Sequence, residues 1–168
     1  DVLLAALGLA MKKWANIDRV AITLEGHGRE DIIKEIDINR TVGWFTTTYP
    51  VVVETGEKQE LGYLLKSVKE SIRRIPNKGV GSDVLRHITP EAYKENLTYH
   101  LQPEIEFNYL GQFGNDEEDE GIFSIIDMEA GQDISSASRM DFRLIISGMV
   151  MDGQLSIAIE YSKRDYQA

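Results

Sequence analysis

Glu25-Gly26-His27-Gly28-Arg29-Glu30 places a carboxylate just before, and a guanidinium just after, a histidine flanked by two glycines. Glycines at a strand end let the backbone approach a ligand or take dihedrals closed to other residues. A carboxylate at such an exit can serve as a general acid or base, with Arg29 nearby to help set its charge. A plainer reading stands beside this one: a polar strand-to-helix turn in which Arg29 pairs with Glu25 or Glu30. His27 is read as structural rather than as a base. His87 and His100 are isolated, without paired metal-ligand spacing, and read as structural or surface residues. The absence of cysteine excludes disulfides, thiol catalysis and cysteine-zinc sites.

The elements that must position these groups follow from periodicity. Val20-Ala21-Ile22-Thr23-Leu24 alternates like a strand, with Val20, Ile22 and Leu24 on one face. Glu25 then falls on the other face with Ala21 and Thr23, whose small size favours a cavity beside the carboxylate. Asp31 to Ile36 has a short helical pattern. Upstream, Leu3, Leu4, Leu7, Met11 and Trp14 predict a first helix, with Asp1 as its cap.

Downstream, Gly43 to Tyr49 is rich in aromatic and β-branched residues, and Pro50 interrupts it before Val51-Val52-Val53. The spacing predicts a strand over 44–53 with a bend, edge or bulge at Pro50, and Trp44 and Phe45 are expected in the core. Leu61, Leu64, Leu65, Val68, Ile72 and Ile75 predict an amphipathic helix over 60–75, stopped by Pro76. Asn77-Lys78-Gly79-Val80-Gly81 reads as a loop, without nucleotide-binding spacing. Short helices are expected at 84–88 and 90–97. Strands are expected at 104–110, 122–128, 142–151 and 154–161, the last two a hairpin around Asp152-Gly153. In a regular strand Asn108 and Tyr109 point to opposite faces.

The 168 residues, 42% hydrophobic and 27% charged, fit one soluble globular domain. A net charge of −10 argues against nucleic-acid or anionic-membrane partners. Half of that excess sits in the run 116–120, read as an exposed loop of solvated charge. No apolar run approaches a membrane span. Asp1 is not an initiator methionine, and the chain reads as a piece of something longer. Helices interspersed with strands and ending in a hairpin give an α/β class, a mixed sheet with packed helices.

Residues 25–30 also resemble the Glu-Gly-His-Gly-Arg-Glu signature of the epimerization domains of nonribosomal peptide synthetases. Arg40-Thr41-Val42-Gly43-Trp44-Phe45-Thr46 with Tyr49-Pro50 is similar to the next signature of that family. Pro76-Asn77-Lys78-Gly79-Val80-Gly81 and Phe107-Asn108-Tyr109-Leu110-Gly111-Gln112-Phe113 are similar to the two after it. The resemblance implies one lobe of a chloramphenicol acetyltransferase-like fold, in which two lobes form a V around an active-site tunnel. It implies an isomerase acting on an aminoacyl or peptidyl thioester. No intrinsic cofactor or metal is implied, the phosphopantetheine arm being delivered by a peptidyl carrier protein in a cytoplasmic setting. By position, Glu25 is the implied acid or base, and Arg29, Asn108 and Tyr109 match further positions linked to activity. Their roles, as orientation, oxyanion support or proton relay, stay open.

The sequence departs from the family in three places. The motif His-His-x-x-x-Asp-Gly is absent; it belongs to the preceding lobe, which implies that residues 1–168 are the C-terminal lobe alone and that the partner lobe is needed for activity. Gly81-Ser82-Asp83 stands where Gly-Tyr-Gly is usual, and Gly114 where an aspartate is usual. Three readings stay open: an epimerase lobe, a condensation-type lobe joining acyl groups, and a non-catalytic module that docks carrier proteins. The 25–30 signature argues against the second, and Glu25, Asn108 and Tyr109 against the third.

Overall fold

The computed structural model describes residues 1–56, 60–95, 101–114, 131, 135, 138–163 and 165–166. The acidic run 116–120, the strand expected at 122–128 and His100 lie outside the described residues. The chain divides into two compact units, Asp1–Phe107 and Asn108–Ala168.

The first unit opens with α1 (Val2–Ala15), whose Leu4, Ala5, Gly8 and Met11 are buried. A Cβ on Gly8 would lie 2.7 Å from Val53 Cγ1, so the glycine permits the close approach of α1 to the sheet. Asp1 stands at the cap position without a side-chain capping bond, contrary to expectation. At the other end Asn16 turns left-handed, and its N–H donates to the Lys12 carbonyl.

β1 (Arg19–Gly26) pairs antiparallel with β2 (Thr47–Glu54) and parallel with the first residues of β3 (Ile105–Phe113). Val20, Ile22 and Leu24 are buried, as are Val51 and Val53, their register neighbours' side of β2. α2 (Leu61–Arg73) adds Leu64 and Val68 to this core. The leucine stripe is narrower than its spacing suggests, because Leu61 is exposed. Burying the Leu64 side chain contributes about 2 kcal/mol of hydrophobic stabilisation.

Three short elements follow α2. Pro76–Gly79 is a tight turn, Gly81–Asp83 and Val84–Ile88 run on as a helical segment with a wide last turn, and Glu91–Tyr93 is a single 3₁₀ turn. The helix expected over 90–97 is therefore only that turn within its described part.

The second unit contains the rest of β3 with β4 (Leu144–Met151) and β5 (Gln154–Tyr161). β4 and β5 are an antiparallel hairpin in register from Leu144 opposite Tyr161 to Met151 opposite Gln154. Asp152 and Gly153 both have positive φ, 48° and 75°, the pattern of the primed two-residue turn that matches strand twist. The strand order is β2-β1-β3-β4-β5, a mixed sheet with helices, and the expected fold class is borne out. Within this unit the Asp152 N–H donates to the Phe113 carbonyl at 3.1 Å. Gly114 has φ +83°, and a Cβ there would lie 2.0 Å from Asp152 Oδ1. An aspartate at 114 would collide with that carboxylate and oppose its charge.

Three expectations fail around residues 31–46. Asp31 to Ile36 forms turns, closed by the Ile36 N–H on the Ile33 carbonyl, rather than a helix. Ile32, Ile33 and Ile36 are all exposed, so no buried apolar face supports so short a helix. The second strand begins at Thr47, not 44, and Trp44 is 89% exposed rather than core.

Candidate functional site

The end of β1 is built by its pairing with β2. Glu25 lies opposite Thr48 and Gly26 opposite Thr47. The Thr48 N–H donates to Asp83 Oδ2 at 3.0 Å, so it points away from β1. Glu25 and Thr48 are then a non-hydrogen-bonded pair, the kind in which side chains stand closest. Pro50, two residues on, occupies an equivalent outward position, where its missing N–H removes nothing from the ladder. The edge placement expected for Pro50 is thus observed. Alternation sets Glu25, Thr23 and Ala21 on the face opposite Val20, Ile22 and Leu24. Glu25 is partly buried there.

The turn after Gly26 is held by a run of specific contacts. The Arg29 N–H donates to His27 Nδ1 at 3.0 Å, and His27 Nε2 lies 3.1 Å from Glu30 Oε1. An imidazole accepting at Nδ1 carries its proton on Nε2, which donates to Glu30. Lys78 Nζ reaches the other carboxylate oxygen, Glu30 Oε2, at 2.8 Å. That hydrogen bond, first among the causes, raises the Lys78 pKa above its ordinary 10.5. Tyr49 stands beside this pair; burial first, and the Glu30 charge second, raise its phenol above the ordinary 10.0.

Two glycines admit this packing. Gly28 has φ +66°, and a Cβ there would fall 1.6 Å from the Phe45 carbonyl oxygen. Gly79 has φ +87°, and a Cβ there would fall 2.1 Å from the Tyr49 ring. The Arg29 guanidinium donates to the carbonyls of Ile38 and Thr41, the latter at 2.9 Å, and lies 4.2 Å over the Phe45 ring. This explains why β2 starts late: Phe45 is drawn to Gly28 and Arg29 instead of continuing the ladder.

Of the residues that the sequence singles out, Glu25 sits at the β1 end as expected. Carbonyls and an aromatic face hold Arg29, and Glu30 gives its two carboxylate oxygens to His27 and Lys78. His27 bridges the Arg29 N–H and the Glu30 carboxylate within the turn. Asn108 and Tyr109 lie on β3 in the second unit, Asn108 partly buried and Tyr109 45% exposed. Sequence reading missed Lys78, Tyr49 and Asp83 as partners of the strand end. Their partners are many residues distant along the chain, so no local pattern announces them. Thr47 Oγ1, also missed, is buried without a hydrogen-bond partner among the described residues.

The chain matches the Condensation domain family over residues 1–168 and belongs to that family. Among its relatives it is 44% identical to surfactin synthase subunit 1 of Bacillus subtilis (strain 168), over 99% of this chain and 5% of that protein. It is 41% identical to gramicidin S synthase 1 of Brevibacillus brevis, over 99% of this chain and 16% of that protein. The solved epimerization domain from the third module of tyrocidine synthetase B matches 96% of this chain and 35% of its own, at 47% identity and TM-score 0.85. The condensation domain of the monacolin K polyketide synthase shares the fold at 14% identity and TM-score 0.66. The chain thus spans only a small part of these synthases and about a third of the solved domains.

Proposed function

We propose that the chain is the C-terminal lobe of an epimerization domain, which interconverts L and D configuration at the α-carbon of an aminoacyl or peptidyl thioester on a carrier protein. The observation that carries this reading is the Glu25–Glu30 signature standing intact at the end of β1, with Glu25 partly buried. The 47% identity to a solved epimerization domain supports it, whereas the condensation domain compared above shares only 14%.

The chemistry follows from the thioester. Its carbonyl acidifies the α-proton, because removal leaves an enolate whose charge rests on oxygen. Glu25 takes that proton or returns it. Inversion then requires return of a proton to the opposite face, and the N-terminal lobe with its His-His-x-x-x-Asp-Gly motif is the proposed source. Atoms balance: the proton lost from one face is replaced on the other, with no net oxidation. Asn108 and Tyr109 are proposed to support the oxyanion or relay the proton. Arg29, held by two carbonyls, is proposed to act by fixing the turn. The phosphopantetheine arm comes with the carrier protein, and this chain without its partner lobe is expected to epimerise nothing.

The test is Glu25→Gln in the complete two-lobed domain, which removes the titrating proton and keeps the side chain's size. Wash-in of solvent deuterium at the α-carbon of carrier-bound substrate should fall at least ~100-fold, with thermal unfolding nearly unchanged. Lost stability with retained exchange would end the catalytic reading.

A further inference from the structure

We propose that Glu30 and Lys78 form a clamp that positions the Glu25 strand end from behind; this rests on the epimerase reading above. Neither residue shares a face with Glu25. Glu25 falls on one side of β1, while Gly26 and its partner Thr47 fall on the other, the side on which a Gly26 Cβ would meet Thr47 Oγ1, Tyr49 and the Lys78 carbonyl at 3.4, 3.5 and 3.7 Å. Lys78 and Glu30 are therefore positioning residues and touch no reacting atom.

The loop that the clamp grips is costly to hold. Asn77, Lys78 and Gly79 are three consecutive left-handed residues, with φ of 46°, 49° and 87°. Two of them carry a Cβ, which the left-handed region disfavours. Such a conformation persists only where its surroundings over-determine it. Here the surroundings act at two points. The Tyr49 ring fills the space where a Gly79 Cβ would stand, and the Lys78 ammonium is fastened to Glu30 at 2.8 Å. The Glu30 side chain is only 15% exposed and uses each oxygen for a different partner, Oε1 for His27 and Oε2 for Lys78. His27 in turn receives the Arg29 N–H. The clamp thereby ties the loop at 77–79 to the turn at 27–30, which follows directly from Gly26 and Glu25. A loosened clamp lets the strand end shift, and small misplacements of a reacting group are costly in rate.

The Lys78 side chain is 71% exposed, so the pair adds little to global stability, and stability and catalysis separate cleanly. In the complete domain, Lys78→Met is expected to lower kcat for α-proton exchange roughly tenfold, with KM for the carrier-bound substrate within about twofold. The melting temperature should move by no more than about 2 °C. Lys78→Arg, which keeps a cation on Glu30, should restore most of kcat. Amide deuterium uptake should rise at 26–30 and 77–79 in Lys78→Met, and stay at the parental level in α1. Parental kcat in Lys78→Met, a rise in KM at unchanged kcat, or failure of Lys78→Arg to restore activity would overturn the positioning role. Absence of exchange in the parent domain overturns the epimerase reading instead. In that case unchanged deuterium uptake in Lys78→Met still overturns the clamp.

Discussion

Gly28→Ala is the substitution that most directly tests how the signature is built. Two costs combine at this position. The backbone has φ +66°, a region in which a Cβ costs about 1–2 kcal/mol. The new methyl would also stand 1.6 Å from the Phe45 carbonyl oxygen and 2.7 Å from its carbon. These are backbone atoms and cannot rotate aside, so relief requires displacing the chain at Phe45, at about 1–3 kcal/mol. The sum is about 2–5 kcal/mol, which at about 2–4 °C per kcal/mol for a domain of this size lowers the melting temperature by roughly 4–20 °C. Displacing Phe45 also removes the ring from beneath the Arg29 guanidinium, now 4.2 Å away. Gly62, inside α2, is the control: a Cβ there meets nothing within 4 Å. Gly62→Ala, in the first turn of α2, should be neutral or stabilise by up to about 0.5–1 kcal/mol, because helices favour alanine over glycine. Thermal melts of the two variants beside the parent protein make the measurement. A Gly28→Ala midpoint within about 2 °C of the parent, or a Gly62→Ala loss of similar size, would refute the reasoning.

Two further outcomes follow from the same geometry. Asp83→Ala leaves the Thr48 N–H of β2 without its acceptor and should cost about 1–3 kcal/mol, whereas Asp83→Asn, which keeps an acceptor oxygen, should lose clearly less; equal melting temperatures for the two variants would contradict this. At alkaline pH, Tyr49 and Lys78 both have folded pKa values raised above their ordinary 10.0 and 10.5, so the stability each contributes is intact below those values and lost as pH rises through the folded ones. Urea midpoints taken between pH 9 and about 11.5 should therefore fall less steeply in Tyr49→Phe than in the parent, and identical slopes would show that Tyr49 contributes nothing in this window.

What the sequence made legible is what local chemistry dictates. The Asp152-Gly153 pair demands a primed turn, and the hairpin follows with its register. Alternation over 20–24 places Glu25 correctly, and the spacing of Leu64 and Val68 places α2 on the sheet. Reading failed where long-range contacts override local preference. Asp31 to Ile36 has helical spacing but nothing to bury its isoleucines against. Trp44 looks like core by type, yet the chain around it follows Phe45, which Arg29 and Gly28 hold in place. Glu30 and Lys78 are 48 positions apart and could not be paired from pattern alone. The same applies to Asp83, whose carboxylate reaches the edge of β2 at the residue opposite Glu25.

Arg29 and Lys78, two of the three cations that the signatures contribute to the first unit, are both engaged. Arg29 gives its guanidinium to the carbonyls of Ile38 and Thr41 and to the Phe45 ring, and Lys78 gives its ammonium to Glu30. A cation so engaged cannot also follow charge that develops during a reaction without surrendering those bonds, and each surrendered bond to a charged group costs about 1.5–3 kcal/mol. On the proposed reaction, the enolate oxygen needs a donor already in place. Arg29 and Lys78 are poor candidates for that donor, although Arg29 is nearest to Glu25 in sequence. Their engagement instead fixes the backbone on either side of Gly28, which on the proposed reaction sets the direction of the strand-end carboxylate. Oxyanion support is then to be sought at Asn108 and Tyr109 or in the partner lobe. An Arg29→Lys substitution, which keeps the charge but not the two-carbonyl fork, would therefore impair the turn rather than the charge balance.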